Sequence, residues 1–90
     1  MAYSYITTGT TTQVKTGAVY KTLITVNADL TGTIKIIDGT AGTTANVATI
    51  TNPTAAGKIF EYWNLQNGLR IVTSTTCDIT VNYQANNQPR

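Results

Sequence analysis

Polar and apolar residues alternate one for one along much of this chain, and the clearest run lies near its end. Cys77, Ile79, Val81 and Tyr83 interleave with Asp78, Thr80, Asn82 and Gln84. Successive side chains on a strand point to opposite faces, so this run predicts a strand with one buried and one wet face. Leu69, Ile71 and Thr73 alternate in the same way with Arg70, Val72 and Ser74, and the Ser74-Thr75-Thr76 between the two runs predicts a hairpin. Gly32 to Gly39 predicts a strand with Ile34 and Ile36 inward and Lys35 outward, closed by an Asp38-Gly39 turn. Val19 to Val26 turns apolar on both faces toward its end, which predicts a central place in its sheet. Asn46 to Thr51 is a further strand that stops at Asn52-Pro53, because proline removes a ladder donor.

The run from Lys58 to Leu65 fits two periods. Ile59, Tyr62, Trp63 and Leu65 make a passable helical stripe, but so short and aromatic a run is read here as a strand. If so, Tyr62 and Trp63 point opposite ways, one ring inward and the other toward solvent or a partner. Weaker strand signals surround Tyr3 to Ile6 and Gln13 to Lys15. The expected fold is all-β: one domain over 1–90, a small antiparallel β-sandwich, immunoglobulin-like or jelly-roll, with six to eight strands. Residues 1–12 have two readings. They form an N-terminal arm that lays Tyr3, Tyr5 and Ile6 on a neighbour, hinged at Thr8-Gly9-Thr10, or they are an ordinary edge strand.

Composition narrows the chemistry. Thr fills 20 of the 90 positions, as suits a pleated surface, while His is absent and the only acids are Asp29, Asp38, Glu61 and Asp78. Cys77 has no His to deprotonate it and sits on the apolar side of its run, so it reads as a small buried hydrophobe. Asp29 and Asp38 stand at turns, where Asp ordinarily caps backbone. The acids are too few and scattered for a metal cage, and Gly32, Gly39, Gly42 and Gly57 lie in loops without the Lys-Ser or Lys-Thr of a phosphate cradle. The expectation is a protein that is not an enzyme and takes no cofactor or metal.

The net charge of +2 comes from Lys15, Lys21, Lys35, Lys58, Arg70 and Arg90, dispersed without a stripe, so no nucleic-acid partner is expected. No apolar run reaches membrane-spanning length and the first residues lack an export signal, which predicts a soluble protein made in a cytoplasm, with no membrane partner. A core this small, with one unpaired Cys, calls for added burial through self-association. Tyrosine and tryptophan suit such contacts, so Tyr3, Tyr5, Ile6, Tyr62 and Trp63 are the candidate partner-binding residues.

Several fragments taken in order carry a resemblance. They are Val26-Asn27, Gly32 to Thr40 with its Asp38-Gly39-Thr40 ending, Ala48-Thr49-Ile50, Asn67-Gly68-Leu69 leading to Thr73, and Asp78-Ile79-Thr80-Val81-Asn82-Tyr83. Over about the last two-thirds of the chain this order resembles small virion proteins of tailed bacteriophages. The stretch Trp63-Asn64-Leu65-Gln66 departs from that pattern, in which an aromatic stands closer to the turn. The resemblance implies a non-enzymatic capsid decoration or cement protein, a homotrimer bound to the major capsid protein on the virion surface after synthesis in the host bacterial cytoplasm. The alternative it implies is a tail or fibre module that recognises a host-surface glycan.

Overall fold

The computed structural model describes residues 2–54 and 58–86, so Met1, Gly57 and Arg90 lie outside the described residues. Eight strands follow one another: β1 (Ala2–Ile6), β2 (Thr11–Thr16), β3 (Val19–Val26), β4 (Thr33–Asp38), β5 (Asn46–Thr51), β6 (Lys58–Leu65), β7 (Gly68–Thr73) and β8 (Ile79–Gln84). They form two four-stranded antiparallel sheets, ordered β1-β8-β3-β6 and β2-β7-β4-β5. The first is called sheet A below and the second sheet B. Each strand of the first half pairs with its mirror in the second, β1 with β8, β2 with β7, β3 with β6 and β4 with β5. That is the order of a jelly-roll sandwich rather than an immunoglobulin one. Lys58–Leu65 is a strand, and β3 lies between β8 and β6, the central place that its apolar run predicts.

The hairpin expected of the last two runs does not form. β7 belongs to sheet B and β8 to sheet A, so the Ser74 to Asp78 connection passes between sheets. The same holds for every consecutive pair except β4 and β5. A short polar loop between alternating runs is equally suited to a sheet crossing, and the burial of both inner faces decides in favour of the crossing.

Alternation on each strand supplies the core. Ile24 and Val26 of β3 and Ile79 and Val81 of β8 face Ile34 and Ile36 of β4 and Leu69 and Ile71 of β7, all almost fully buried. The molecule is 17 Å across its thinnest direction, which is two sheets about 10 Å apart with their outer side chains. Phe60, Tyr62, Tyr83 and Val14 close the rim of this cluster as half-buried side chains. Cys77 is buried beneath it, its thiol 3.5 Å from the Ile6 carbonyl, and burial pushes that thiol up from its ordinary value.

The N-terminal segment is part of the sandwich. β1 pairs with β8 from Ala2↔Tyr83 to Ile6↔Ile79, and β2 pairs with β7, so the arm reading gives way to two edge strands, one in each sheet. The expected hinge between them is pinned. The Cys77 N–H donates to the Thr7 carbonyl at 3.1 Å, and the Thr73 hydroxyl donates to the Thr8 carbonyl at 2.6 Å and accepts from the Thr10 N–H at 3.0 Å. Gly9 is needed here because a Cβ would stand 2.9 Å from the Thr75 backbone.

Asp38 fastens the end of β4 to the β6–β7 turn rather than to its own loop. The Gln66 and Asn67 N–H groups donate to its two carboxylate oxygens at 3.0 and 2.7 Å. Burial would raise the Asp38 carboxyl, but the backbone donors of Gln66, Asn67 and Gly68 outweigh it and hold the group below its ordinary value. The next residue in that turn must be glycine: Gly68 has φ 158°, and a Cβ there would meet the Gly39 and Lys15 carbonyls at 2.8 and 2.9 Å.

Two outcomes are expected. Ile71→Ala, at a fully buried position, should lower the unfolding free energy by about 2–5 kcal/mol, whereas Val47→Ala on the surface should change it by less than about 0.5 kcal/mol. Urea titration followed by circular dichroism distinguishes them. The depressed Asp38 carboxyl adds stability in full above its unfolded value, near about 4, and loses it as pH falls through its lower folded value. Asp38→Asn should therefore be less stable than the parent at neutral pH, and the gap should close toward about pH 2. A gap independent of pH would contradict this.

Candidate interaction surface

The two outer faces of the sandwich differ. On sheet B, Arg70 Nη1 donates to Gln13 Oε1 at 3.0 Å and to the Thr40 carbonyl at 3.3 Å. Gln13 Nε2 in turn donates to the carbonyls of Gly39 at 2.9 Å and Lys15 at 3.0 Å. This layer lies over Ile37, which sits opposite Arg70 in the ladder and is fully buried although it stands outside the central core. The loop after β4 thus covers the Ile37 end of its own sheet.

None of the described residues covers sheet A in this way, and its register sets out what it exposes. Tyr3, Asn82, Leu23 and Glu61 form one row across the four strands; Tyr5, Thr80, Thr25 and Ile59 form the next; Gln84, Lys21 and Trp63 form a third. Among the described residues, four of the five large apolar side chains left exposed belong to these rows: Tyr3 at 69%, Tyr5 at 59%, Ile59 at 55% and Trp63 at 47%. The fifth, Val47, is on sheet B. The four lie as two pairs on opposite edges of the sheet, Tyr3 and Tyr5 on β1 and Ile59 and Trp63 on β6, with the side chains of β8 and β3 between them.

One of these rings is held in place before anything binds, and another has a carboxylate neighbour. Hydrogen bonding to Asp78, then burial and the carboxylate charge, raise the Tyr5 hydroxyl above its ordinary value. Asp78 is itself fixed by Asn27, whose Nδ2 donates to Asp78 Oδ1 at 3.2 Å and to Thr80 Oγ1 at 3.1 Å. Trp63 takes the Tyr20 ring edge-on, with centroids 5.3 Å apart and planes at 86°, and carries the Lys21 ammonium 4.9 Å from its centre. Asn64, in the left-handed region at φ 57°, ends the regular alternation. Beyond it Val19 and Leu65 are buried opposite one another, although they share the parity of the exposed Lys21 and Trp63.

Of the five residues singled out in the sequence, Tyr3, Tyr5 and Trp63 are exposed on this face, the tyrosines on its β1 edge and Trp63 on its opposite β6 edge. Ile6, one position out of phase with the tyrosines, is buried in the core, and Tyr62 turns inward as the partner of Trp63's outward ring. Ile59, Lys21 and Glu61 were not singled out. The alternation back from Trp63 puts Glu61 and Ile59 on its side, whereas Lys21 joins them only through the β3–β6 register, which the sequence does not display.

Little else on the molecule offers chemistry. Two shallow depressions are open to solvent, one of about 320 Å³ lined by Tyr5, Ile6 and the threonines at 7, 8, 10 and 12, the other of about 280 Å³ between Tyr20, Asn64, Gln66 and Asn86. Among the described residues no three His, Cys, Asp or Glu side chains stand close enough to hold a metal. No helix among them is long and apolar enough to cross a membrane.

The Tyr5–Asp78 contact has a direct readout. Tyr5 should ionise above the ordinary tyrosine range, and Asp78→Asn should bring it back down by removing the carboxylate, as followed by the Tyr5 ring signals in a pH titration by NMR. No movement on substitution would mean that the carboxylate does not act on the ring. Compared with known proteins, the chain matches no family model, no curated protein and no solved structure.

Proposed function

We propose that this chain is a non-enzymatic structural protein of a bacteriophage virion, a decoration or cement protein that binds the outer surface of the major capsid shell and stabilises it. The observation that carries the reading is the unlike surface: the Gln13–Arg70 layer covers sheet B at Ile37, while sheet A presents Tyr3, Tyr5, Ile59 and Trp63 around polar side chains. Rigid aromatic anchors set among polar neighbours are what a protein-binding face requires. The ordered resemblance of the later strands to small phage virion proteins supports it, and so, as fold-level analogy only, does the occurrence of eight-stranded jelly rolls among viral capsid domains.

The mechanism is geometric. A stiff sandwich laid across the joint between two shell subunits buries area on both, and separation of the joint then requires that area to be exposed again. Individual contacts need not be strong, since many copies on one shell multiply their effect. Synthesis in the host bacterial cytoplasm and residence on the virion surface follow from the reading. The other reading, a tail or fibre module for a host-surface glycan, draws on the same Tyr5, whose ring lies beside Thr80.

Particles of the encoding phage, stripped of the protein, are expected to take it up again saturably and to resist heat or low salt better with it than without. Tyr5→Ala combined with Trp63→Ala should leave a folded protein that no longer pellets with the shells, because both side chains are largely outside the core. Location in the tail together with selective binding on a glycan array would replace the capsid reading with the glycan one.

A further inference from the structure

We infer that β6 is the strand through which two copies of this chain pair, joining their sheets A edge to edge. A sheet edge is a row of unpaired backbone groups, and proteins usually blunt such rows with short strands or bulges. Two of the four edges here are blunted by bulges, and β6 is the longer of the two that are not. β1 has five residues, β2 carries an extra residue at Val14 between Gln13↔Arg70 and Lys15↔Leu69, and β5 carries one at Val47 between Ile36↔Ala48 and Ile37↔Asn46. β6 is different: eight residues without proline, in constant register with β3 from Val26↔Lys58 to Val19↔Leu65, interrupted only near its end by left-handed Asn64.

The charges on this strand select a second copy as the occupant. Glu61 stands exposed on the outer face with Leu23 opposite it and forms no ion pair with a cation among the described residues. Lys21, on β3, reaches across Trp63 toward the open edge. Each copy therefore brings a carboxylate and an ammonium to the same edge, and a two-fold axis supplies each with its complement.

Parity then fixes the register. Residues directly opposite in an antiparallel pair share a face, so in a two-fold pairing one residue must sit opposite itself. A centre at Glu61 sets two carboxylates against each other, and a centre at Phe60 leaves Trp63 outside the strand pair. A centre at Tyr62 puts Glu61 of each copy opposite Trp63 of the other, beside the Lys21 ammonium that lies over that ring. The product is a continuous eight-stranded sheet with Ile59 and Trp63 of both copies along its middle. The threefold state expected from the sequence rests on chain size and the resemblance, neither of which specifies a contact.

This pairing stands independently of the virion reading, since dimerisation and shell binding are measured separately. Sedimentation equilibrium at micromolar concentration should give a dimer. Glu61→Lys and Lys21→Glu should each weaken it by roughly tenfold, and the double swap should restore most of the parent affinity. Both side chains lie outside the core, so thermal unfolding by circular dichroism should show each variant folded; Glu61→Gln, which removes the charge alone, replaces any that is not. A parent protein that is monomeric or trimeric, single swaps without effect, or a double swap no tighter than the singles would each overturn the inference.

Discussion

Everything in this molecule depends on two inner faces of β-branched and aliphatic side chains being buried against each other. Apart from β4–β5, no strand finds its sheet neighbour next to it in the chain, and β1 must wait for β8. Neither sheet can therefore assemble from local hairpins, and the closing entropy of long loops is offset only when the shared core forms. Ile24, Ile34, Ile36, Ile71, Ile79 and Val81 meet at that core from four strands, two from each sheet. The polar staples on the rim act on this frame. Thr73 holds the β1–β2 linker to β7, and Asp38 holds the β6–β7 turn to β4, each at a place where the chain changes sheet.

The dependence on a shared core also explains which parts of the fold are readable from sequence. The pattern within single runs located β3, β4, β5, β7 and β8 and marked β1 and β2 more weakly. It gave β3 its central place through its two apolar faces and, once the short aromatic run was read as a strand, turned Tyr62 and Trp63 to opposite faces. Pairing is a property of two runs. The Ser74-Thr75-Thr76 loop looks like a hairpin turn by composition, yet it carries β7 out of sheet B and β8 into sheet A. The surface followed the same division. Strict alternation through β1 places Tyr3 and Tyr5 together and Ile6 on the other side, so the burial of Ile6 was legible in its phase. That the β1 tyrosines and Trp63 share one sheet face, at its opposite edges, was not, because β8 and β3 lie between them in an order that only the folded register supplies.

The unlike outer faces have a topological cause. A loop that joins two strands of one sheet can fold back over that sheet, while a loop that crosses between sheets is committed to the end of the sandwich. The jelly-roll order provides a single within-sheet connection, between β4 and β5, and it belongs to sheet B. Its residues Gly39 and Thr40 supply the carbonyls that bind Gln13 and Arg70 over Ile37. Among the described residues sheet A is built from strands whose connections leave it, and none of those connections folds back over Tyr3, Tyr5, Ile59 and Trp63. Strand order thus sets the unlike faces, and Trp63, packed against the Tyr20 ring and the Lys21 ammonium, presents its ring with little further loss of conformational freedom on contact.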